Sequence, residues 1–258
     1  MKSAYQNLNF ATFWNEISGS HGQAYKKYVL DPCLFKMLGN ISGKSVLDLG
    51  CGNGYLGSRF IKLGCKKVIL MDISSYNLEN ARQLNNSHKI EYLCQDATRS
   101  WKIDNAKLDI VFSDMFLNEI KNIKKPIFEA YRVLKRGGQF LVTVTHPAWD
   151  LFEFSYDQLG KSRKIIKGAG PYFFRGPTKF MMGTESLKPA NNEKYPESFE
   201  IEHYQRPIED YFNTLTDAGF VIKKIMEPEL TSKILKHYPG YKDLSSHPIS
   251  LIFNAIKK

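Results

Sequence analysis

Lys44-Ser45-Val46-Leu47-Asp48-Leu49-Gly50-Cys51-Gly52-Asn53-Gly54 is the stretch that decides how this chain folds. Ser45–Leu49 is a short apolar run that leads straight into three glycines spaced by single residues. A glycine-rich turn between a strand and a helix lets backbone approach a ligand closely. Two nucleotide-binding patterns compete for such a turn. The nicotinamide fingerprint needs glycine at its first, third and sixth positions. Counted from Gly50, the sixth position is Tyr55, so that fingerprint fails. The phosphate-cradling GxxxxGK[ST] loop is absent altogether. What stands here is GxGxG preceded by Asp48, with no Lys or Arg until Arg59. A pyrophosphate binder would want basic groups at this turn.

Working outward, strands and helices alternate. Tyr55–Leu63 reads as a helix, with Leu56, Phe60 and Leu63 on one face and Gly64 as its stop. Lys67–Asp72 is a strand, Ser74–Ser87 a helix, Ile90–Leu93 and Leu108–Ser113 two further strands. Lys125–Lys135 is a helix that Pro126 opens and Gly137-Gly138 ends; Ile127, Ala130, Tyr131 and Leu134 follow i, i+3, i+4, i+7. Gln139–Thr145, Phe220–Ile225 and Ile249–Ile256 complete seven strands, with a helix opened by Pro207 before the last two. This alternation implies an α/β fold, a doubly wound and mostly parallel sheet. Residues 1–44 form a helical cap, and residues 45–149 and 206–258 form the core. Residues 150–205, rich in Gly, Pro and aromatic residues, form an insertion.

The set of motifs resembles the class I S-adenosylmethionine-dependent methyltransferases, over roughly residues 45–145 and 206–256. Asp72 ends the second strand, 24 residues after Asp48, where the family places an acid on both ribose hydroxyls. Asp96 follows the third strand in Cys94-Gln95-Asp96-Ala97, where the family places an acid near the adenine amino group. Ser113-Asp114-Met115 ends the fourth strand, a segment that runs beside the cofactor in such enzymes. The resemblance therefore implies a Rossmann-like sheet with an antiparallel last strand and S-adenosyl-L-methionine as cofactor, S-adenosyl-L-homocysteine being the product. Its implied binding residues are Asp48, Gly50, Cys51, Gly52, Asp72, Ile73, Asp96, Ala97, Ser113 and Asp114. The chemistry agrees, because this cofactor carries a sulfonium and an α-amino group and no phosphate. Carboxylates suit its vicinal hydroxyls, and Ile73 can cover one face of adenine.

Methyl transfer from a sulfonium is an in-line displacement that needs alignment, exclusion of water and, for some acceptors, removal of a proton. The fifth strand ends in Thr145-His146-Pro147, and the carboxyl ends of parallel strands face the ligand crevice. His146 is therefore the expected base, or else a residue that only orients substrate. A His-Pro here resembles one in a branch of small-molecule methyltransferases. The insertion carries Phe152, Phe154, Tyr156, Tyr172, Phe173, Phe174, Phe180, Met181, Met182, Tyr195, Phe199 and Tyr204. It is expected to be a lid over an apolar or aromatic small molecule. Tyr172, Arg175, His203 and Tyr204 are the expected substrate contacts. The basic residues 161, 163, 164, 167, 175 and 179, with no acid among them, read either as a receptor for an anionic acceptor or as a solvated loop. Tyr25 and Tyr28 are placed to contact the cofactor from the N-terminal cap.

Composition narrows the class. Apolar residues make up 43% and charged residues 24%, ordinary for a globular chain and against wholesale disorder. No apolar stretch approaches the roughly 20 residues of a membrane span, and Met1–Trp14 lacks a signal-peptide core. The four cysteines, at 33, 51, 65 and 94, show no zinc or redox spacing, so no metal is expected and a cytoplasmic setting is. The net charge of +10 invites a nucleic-acid partner. Of the 36 basic residues, however, 28 are Lys, whereas nucleic-acid readout leans on Arg. Transfer to an O or N atom of a small molecule is the expected activity. The rivals are an RNA- or protein-modifying methyltransferase using the basic surface, and a binding protein on the same fold.

Overall fold

The computed structural model describes residues 4–20, 22–149, 152–156, 163–168, 172–182, 199–237, 242 and 245–258. The chain begins with α1 (Leu8–Ser18), a π-helical turn (Lys26–Leu30) and α2 (Asp31–Leu38). There follow β1 (Ser45–Leu49), α3 (Gly57–Lys62), β2 (Lys67–Asp72), α4 (Ser75–Leu84), β3 (Ile90–Cys94) and β4 (Leu108–Asp114). A 3-10 turn (Leu117–Glu119) leads to α5 (Lys124–Val133) and β5 (Leu134–Thr145). The inserted strands are β6 (Phe152–Tyr156), β7 (Arg163–Gly168), β8 (Gly176–Met182) and β9 (Phe199–Gln205). The chain closes with α6 (Ile208–Asp217), β10 (Phe220–Met226), α7 (Ser232–His237) and β11 (Ser250–Lys257).

Seven strands form one sheet in the order β10-β11-β5-β4-β1-β2-β3. β1 pairs parallel with β2 and β4, and only β11 runs antiparallel to its neighbours β5 and β10. The fold is the Rossmann-like, mostly parallel sheet that the resemblance implies, with the expected antiparallel last strand. Alternate side chains of β1 serve opposite faces, as the pleat requires. Leu47 and Leu49 join a core with Ile127, Ala130 and Val133 of α5 and Tyr211 and Leu215 of α6. Val46 joins Leu34 and Leu38 of α2, Phe60 of α3, and Leu78 and Ala81 of α4. Burial on both faces explains why the strands read as near-continuous apolar runs.

Several boundaries differ from the expectation. The first core helix starts at Gly57 rather than Tyr55, because Gly50, Cys51 and Gly52–Tyr55 are occupied in turns and in hydrogen bonds to Met71 and Asp72. The helix α5 ends at Val133, not at Gly137-Gly138. Leu134 is already extended (φ −71°, ψ 141°) and begins β5. The insertion holds two antiparallel hairpins, β6–β7 and β8–β9, separate from the main sheet. Tyr195 and Lys161 lie outside the described residues. For Phe152, Phe154, Tyr156, Arg163, Lys164, Lys167, Phe180, Met181 and Met182 only the backbone is described.

The hairpin β8–β9 connects to the N-terminus. Phe10 and Phe13 of α1 pack with Ile201 and Phe199 of β9, and Tyr5 and Trp14 extend this cluster. Phe10 and Phe199 meet edge to face, with ring centroids 5.3 Å apart. Asn7 caps α1 by accepting from the N–H groups of Asn9 and Phe10. The cap is therefore an ordered helix joined to the insertion by aromatic packing.

Candidate functional site

The carboxyl ends of β1, β2 and β4 open on a cavity of about 310 Å³, a size suited to a small ligand. Its floor is the glycine turn 50–53, Asp72 and Ile73 after β2, Gln95–Ala97 after β3, and Asp114–Phe116 after β4. Its roof is Tyr5, Trp14, Gln23, Tyr25 and Lys26 from the cap and His203 from β9.

The turn has the shape it has because glycine is required. Gly50 has φ +72°, and a Cβ there would sit 2.5 Å from the Phe116 ring. Gly54 has φ +68°, and its Cβ would lie 2.7 Å from that of Ala81. The N–H groups of Gly50 and Cys51 both donate to the Met71 carbonyl, at 2.9 and 3.0 Å. The N–H of Gly52 donates to Asp72 Oδ2 at 2.9 Å, and that of Ser74 to Asp72 Oδ1 at 2.8 Å. Burial pushes the Asp72 carboxyl up to about 6, against the pull of those N–H groups. Asp48 lies under the turn at 3% exposure, where burial and the nearby Asp114 push it up to about 8.

After β4 the chain turns through Met115, a non-glycine residue with φ +55°. Backbone in that region is sparsely populated and gathers at functional sites. Asp114 points Oδ2 at Lys26 Nζ, 2.9 Å away, and its buried Oδ1 has no hydrogen-bond partner. Burial would lower the Lys26 ammonium, but Asp114 outweighs it and holds it above the usual range. Two more buried acceptors on the cavity residues lack partners, Asn77 Oδ1 and Asn118 Oδ1. Their orientation is fixed, since each Nδ2 donates to a carboxylate: Asn77 to Asp72 (3.5 Å) and Asn118 to Glu119 (3.0 Å).

A second polar group lines the same cavity. His203 Nε2 lies 2.5 Å from Glu119 Oε1, and the Tyr5 phenol also hydrogen-bonds Glu119. Burial first, then the Glu119 charge, raise the Tyr5 phenol far above its usual value, so it stays protonated. Arg206, only 8% exposed, clamps this corner. Its guanidinium donates to the carbonyls of Leu117, Ile120, Lys121 and Tyr204.

The expected site residues separate into two groups. Gly50, Cys51, Gly52, Asp72, Ile73, Asp96, Ala97, Asp114, His203 and Tyr25 line the cavity. Asp96 also accepts from the N–H and hydroxyl of Thr98. Asp48 and Ser113 are buried behind the lining, and the Ser113 hydroxyl has no partner. His146 requires correction. It is 4% exposed and lies behind Thr145, outside the lining. Its Nδ1 accepts from the Ala148 N–H at 3.0 Å, so the proton sits on Nε2, which faces Glu227 Oε1 at 2.9 Å. Burial, opposed by Glu227, holds the imidazole below its usual range. Both ring nitrogens are thus engaged by protein groups.

Three expected substrate contacts lie outside the lining and meet protein groups instead. Arg175 is exposed and paired with Glu209 and Asp210 at the start of α6. Tyr172 accepts the Ile208 N–H there at 3.2 Å. Tyr204 donates to Glu202 at 2.5 Å and lies outside the lining. Tyr28 is 42% exposed, with Lys27 over its ring. The sequence reading missed Lys26, Asn77, Asn118, Glu119, Tyr5 and Trp14. Only Lys26 had a signal, next to the singled-out Tyr25.

The lining fits S-adenosylmethionine. Four carboxylates (Asp72, Asp96, Asp114 and Glu119) and one ammonium (Lys26) face the cavity. The unpartnered atoms there are all acceptors, and this cofactor brings hydroxyl and ammonium donors, a sulfonium and one carboxylate. The comparisons agree. The methyltransferase domain family matches residues 47–142. A crystal structure described as an S-adenosylmethionine-dependent methyltransferase from Listeria monocytogenes superposes with a TM-score of 0.71 at 26% identity, covering 88% of this chain and 96% of that one. The malonyl-[acyl-carrier protein] O-methyltransferase of Yersinia pestis is 31% identical over 49% of this chain and 44% of its own length. A demethylmenaquinone methyltransferase of Leptospira interrogans is 33% identical over 40% of this chain and 43% of its own length. The alignments thus span less than half of each of these two relatives. No helix among the described residues is long and apolar enough to cross a membrane.

Proposed function

This chain is a class I S-adenosylmethionine-dependent methyltransferase, and from that premise we propose that it methylates an oxygen or nitrogen atom of a small molecule held inside the cavity. The observation that carries the proposal is that Asp72, Asp96, Asp114, Glu119 and His203 line one cavity together with Tyr5 and Trp14 of the cap. Methyl donor and acceptor would share a space sheltered from water, which in-line transfer requires. The roof of Tyr5, Trp14 and β9 leaves the carboxyl edge of the sheet little room for a folded RNA or protein.

In this reading Asp72 takes the ribose hydroxyls, Asp96 the adenine amino group, and Ile73 and Ala97 flank the adenine. Lys26 and Asp114 face the carboxylate and ammonium of the methionine part, with Asp48 beneath. Four free cysteines, two of them buried, suit a reducing cytoplasm. The test is transfer of label from methyl-labelled S-adenosylmethionine into a cell extract, separated by size and by nuclease or protease sensitivity. Label in the small-molecule fraction is the expected result. Label in RNA or protein would overturn the reading.

A further inference from the structure

We propose that the face of the sheet opposite the cavity is a docking surface for the phosphate backbone of a nucleic acid, which it holds without reading bases and without methylating. The parallel strands present their carboxyl ends to the cavity and their amino ends to the far face. Asp48, Asp72 and Asp114 lie at the carboxyl ends of β1, β2 and β4. The amino ends are basic instead: Lys44 precedes β1, Lys66 and Lys67 stand at the start of β2, Lys89 precedes β3 and Lys107 precedes β4. Lys135 and Arg136 lie in the first residues of β5, and all of these side chains are exposed. Pairing sets them side by side. Ser45 is in register with Lys67, Val68 with Ile90, and Leu108 with Leu134. The Lys66 N–H donates to the Lys44 carbonyl at 2.8 Å, and the Val68 N–H to the Lys89 carbonyl at 2.9 Å. The strands β5-β4-β1-β2-β3 are consecutive in the sheet. At about 4.8 Å between neighbours, their amino ends make a row about 19 Å long.

Structural duties leave much of this charge unused. Lys67 pairs with Glu91 at 2.5 Å, Lys107 with Asp104 at 3.8 Å and Lys135 with Asp109 at 2.8 Å. Lys44, Lys66, Lys89 and Arg136 have no ion-pair partner among the described residues. A helix macrodipole rewards cations only within its last turn. These four lie beyond the ends of α2, α3, α4 and α5, at Leu38, Lys62, Leu84 and Val133. A row of like charges repels itself, and a polyanion laid along it relieves that repulsion. The make-up of the row selects the occupant. All but Arg136 are Lys, point charges that suit phosphate oxygens and not bidentate reading of base edges. No exposed aromatic residue stands within four positions of any of them to stack a base. Leu63, 48% exposed, is the one exposed large apolar residue that near in sequence among the described residues, whereas a lipid surface wants several apolar side chains beside the cations. A linear row therefore meets a linear polyanion, and part of the +10 net charge serves the face that the cavity does not use.

The test is binding of a short fluorescent RNA of mixed sequence to the full chain, followed by anisotropy as salt is raised. Four free cations on phosphates predict that affinity falls about 50- to 150-fold between about 0.05 and about 0.2 M salt. A second RNA of different sequence should bind within about twofold, because phosphate contacts carry no sequence information. Arg136→Gln should lower the slope of log affinity against log salt by about 1, and Lys44→Gln/Lys66→Gln by about 2. Lys223→Gln/Lys224→Gln, which removes two exposed charges from β10 outside the row, should leave the slope unchanged. Saturating S-adenosylhomocysteine should not displace the RNA. Absence of RNA binding at low salt, equal losses in the two double variants, or displacement by S-adenosylhomocysteine overturns the proposal. So does transfer of methyl label into the bound RNA, or binding to vesicles of anionic phospholipid with none to RNA.

Discussion

Two parts of the cavity lining are built by different means. One is local: residues 50–54, 72–77 and 95–97 lie at the ends of adjacent parallel strands, and Asp72 is tied to Gly52 and Ser74 by backbone N–H groups. The other is assembled from segments far apart in the chain, Tyr5, Asn118–Glu119 and His203. The first depends on strand register and glycine conformation. The second depends on aromatic packing between α1 and β9. Substitutions should therefore separate into those that abolish cofactor binding and those that spare it.

The largest effect is expected at Asp72. If Asp72 takes the ribose hydroxyls as proposed, Asp72→Asn weakens two contacts, each worth about 1.5–3 kcal/mol when the partner is ionised. Cofactor affinity should fall about 10²-fold or more in calorimetry, while Arg175→Ala, outside the lining, leaves it nearly unchanged. Equal losses in both variants would contradict a cofactor site at the strand ends.

Phe10→Ala sharpens the comparison from the other side. Phe10 is fully buried against Phe13, Trp14 and Phe199, and truncating such a ring costs about 3–5 kcal/mol. The cost should fall on the cap and the roof rather than on the sheet. Hydrogen exchange should rise in α1 and β9 and stay slow in β1 and β4. Uniform acceleration would show that cap and sheet unfold as one unit.

A smaller effect is set by pH. Asp48 and Asp72 ionise only at about 8 and about 6, because burial disfavours their charge. A cationic ligand favours the ionised forms, so binding should release protons and tighten about tenfold from pH 6 to pH 8. Calorimetry in buffers of different ionisation heat reads the release directly. In the unliganded protein the sign is opposite. The folded form holds extra protons between the free carboxyl value of 3.8 and about 8, so its stability falls as pH rises through that window. Affinity that is flat or falls with pH would contradict these buried carboxyls.

The smallest effects belong to residues that the sequence favoured. Arg175→Ala removes an exposed cluster with Glu209 and Asp210 and should leave turnover within about twofold, since exposed pairs contribute little. A large loss of turnover would place Arg175 in the acceptor site after all.

This ordering follows what the sequence could reveal. Strand-end acids and glycines are fixed by local spacing, so Asp72, Asp96 and Gly50 could be placed on the lining from the sequence. His146 follows the same logic one residue too far: Thr145 is the last residue of β5, and the next side chain turns back toward Glu227. Glu119 sits in a 3-10 turn with no motif around it. Its partner is 84 positions away, and only the docking of β9 on α1 brings the two together. Arg175 and Tyr172 read as ligand contacts because their real partners, the first turn of α6, are invisible to spacing.

The most direct test is a crystal structure with S-adenosylhomocysteine bound. The account predicts ribose hydroxyls on Asp72 and the amino-acid end at Lys26 and Asp114. A ligand bound with Asp72 untouched would contradict it.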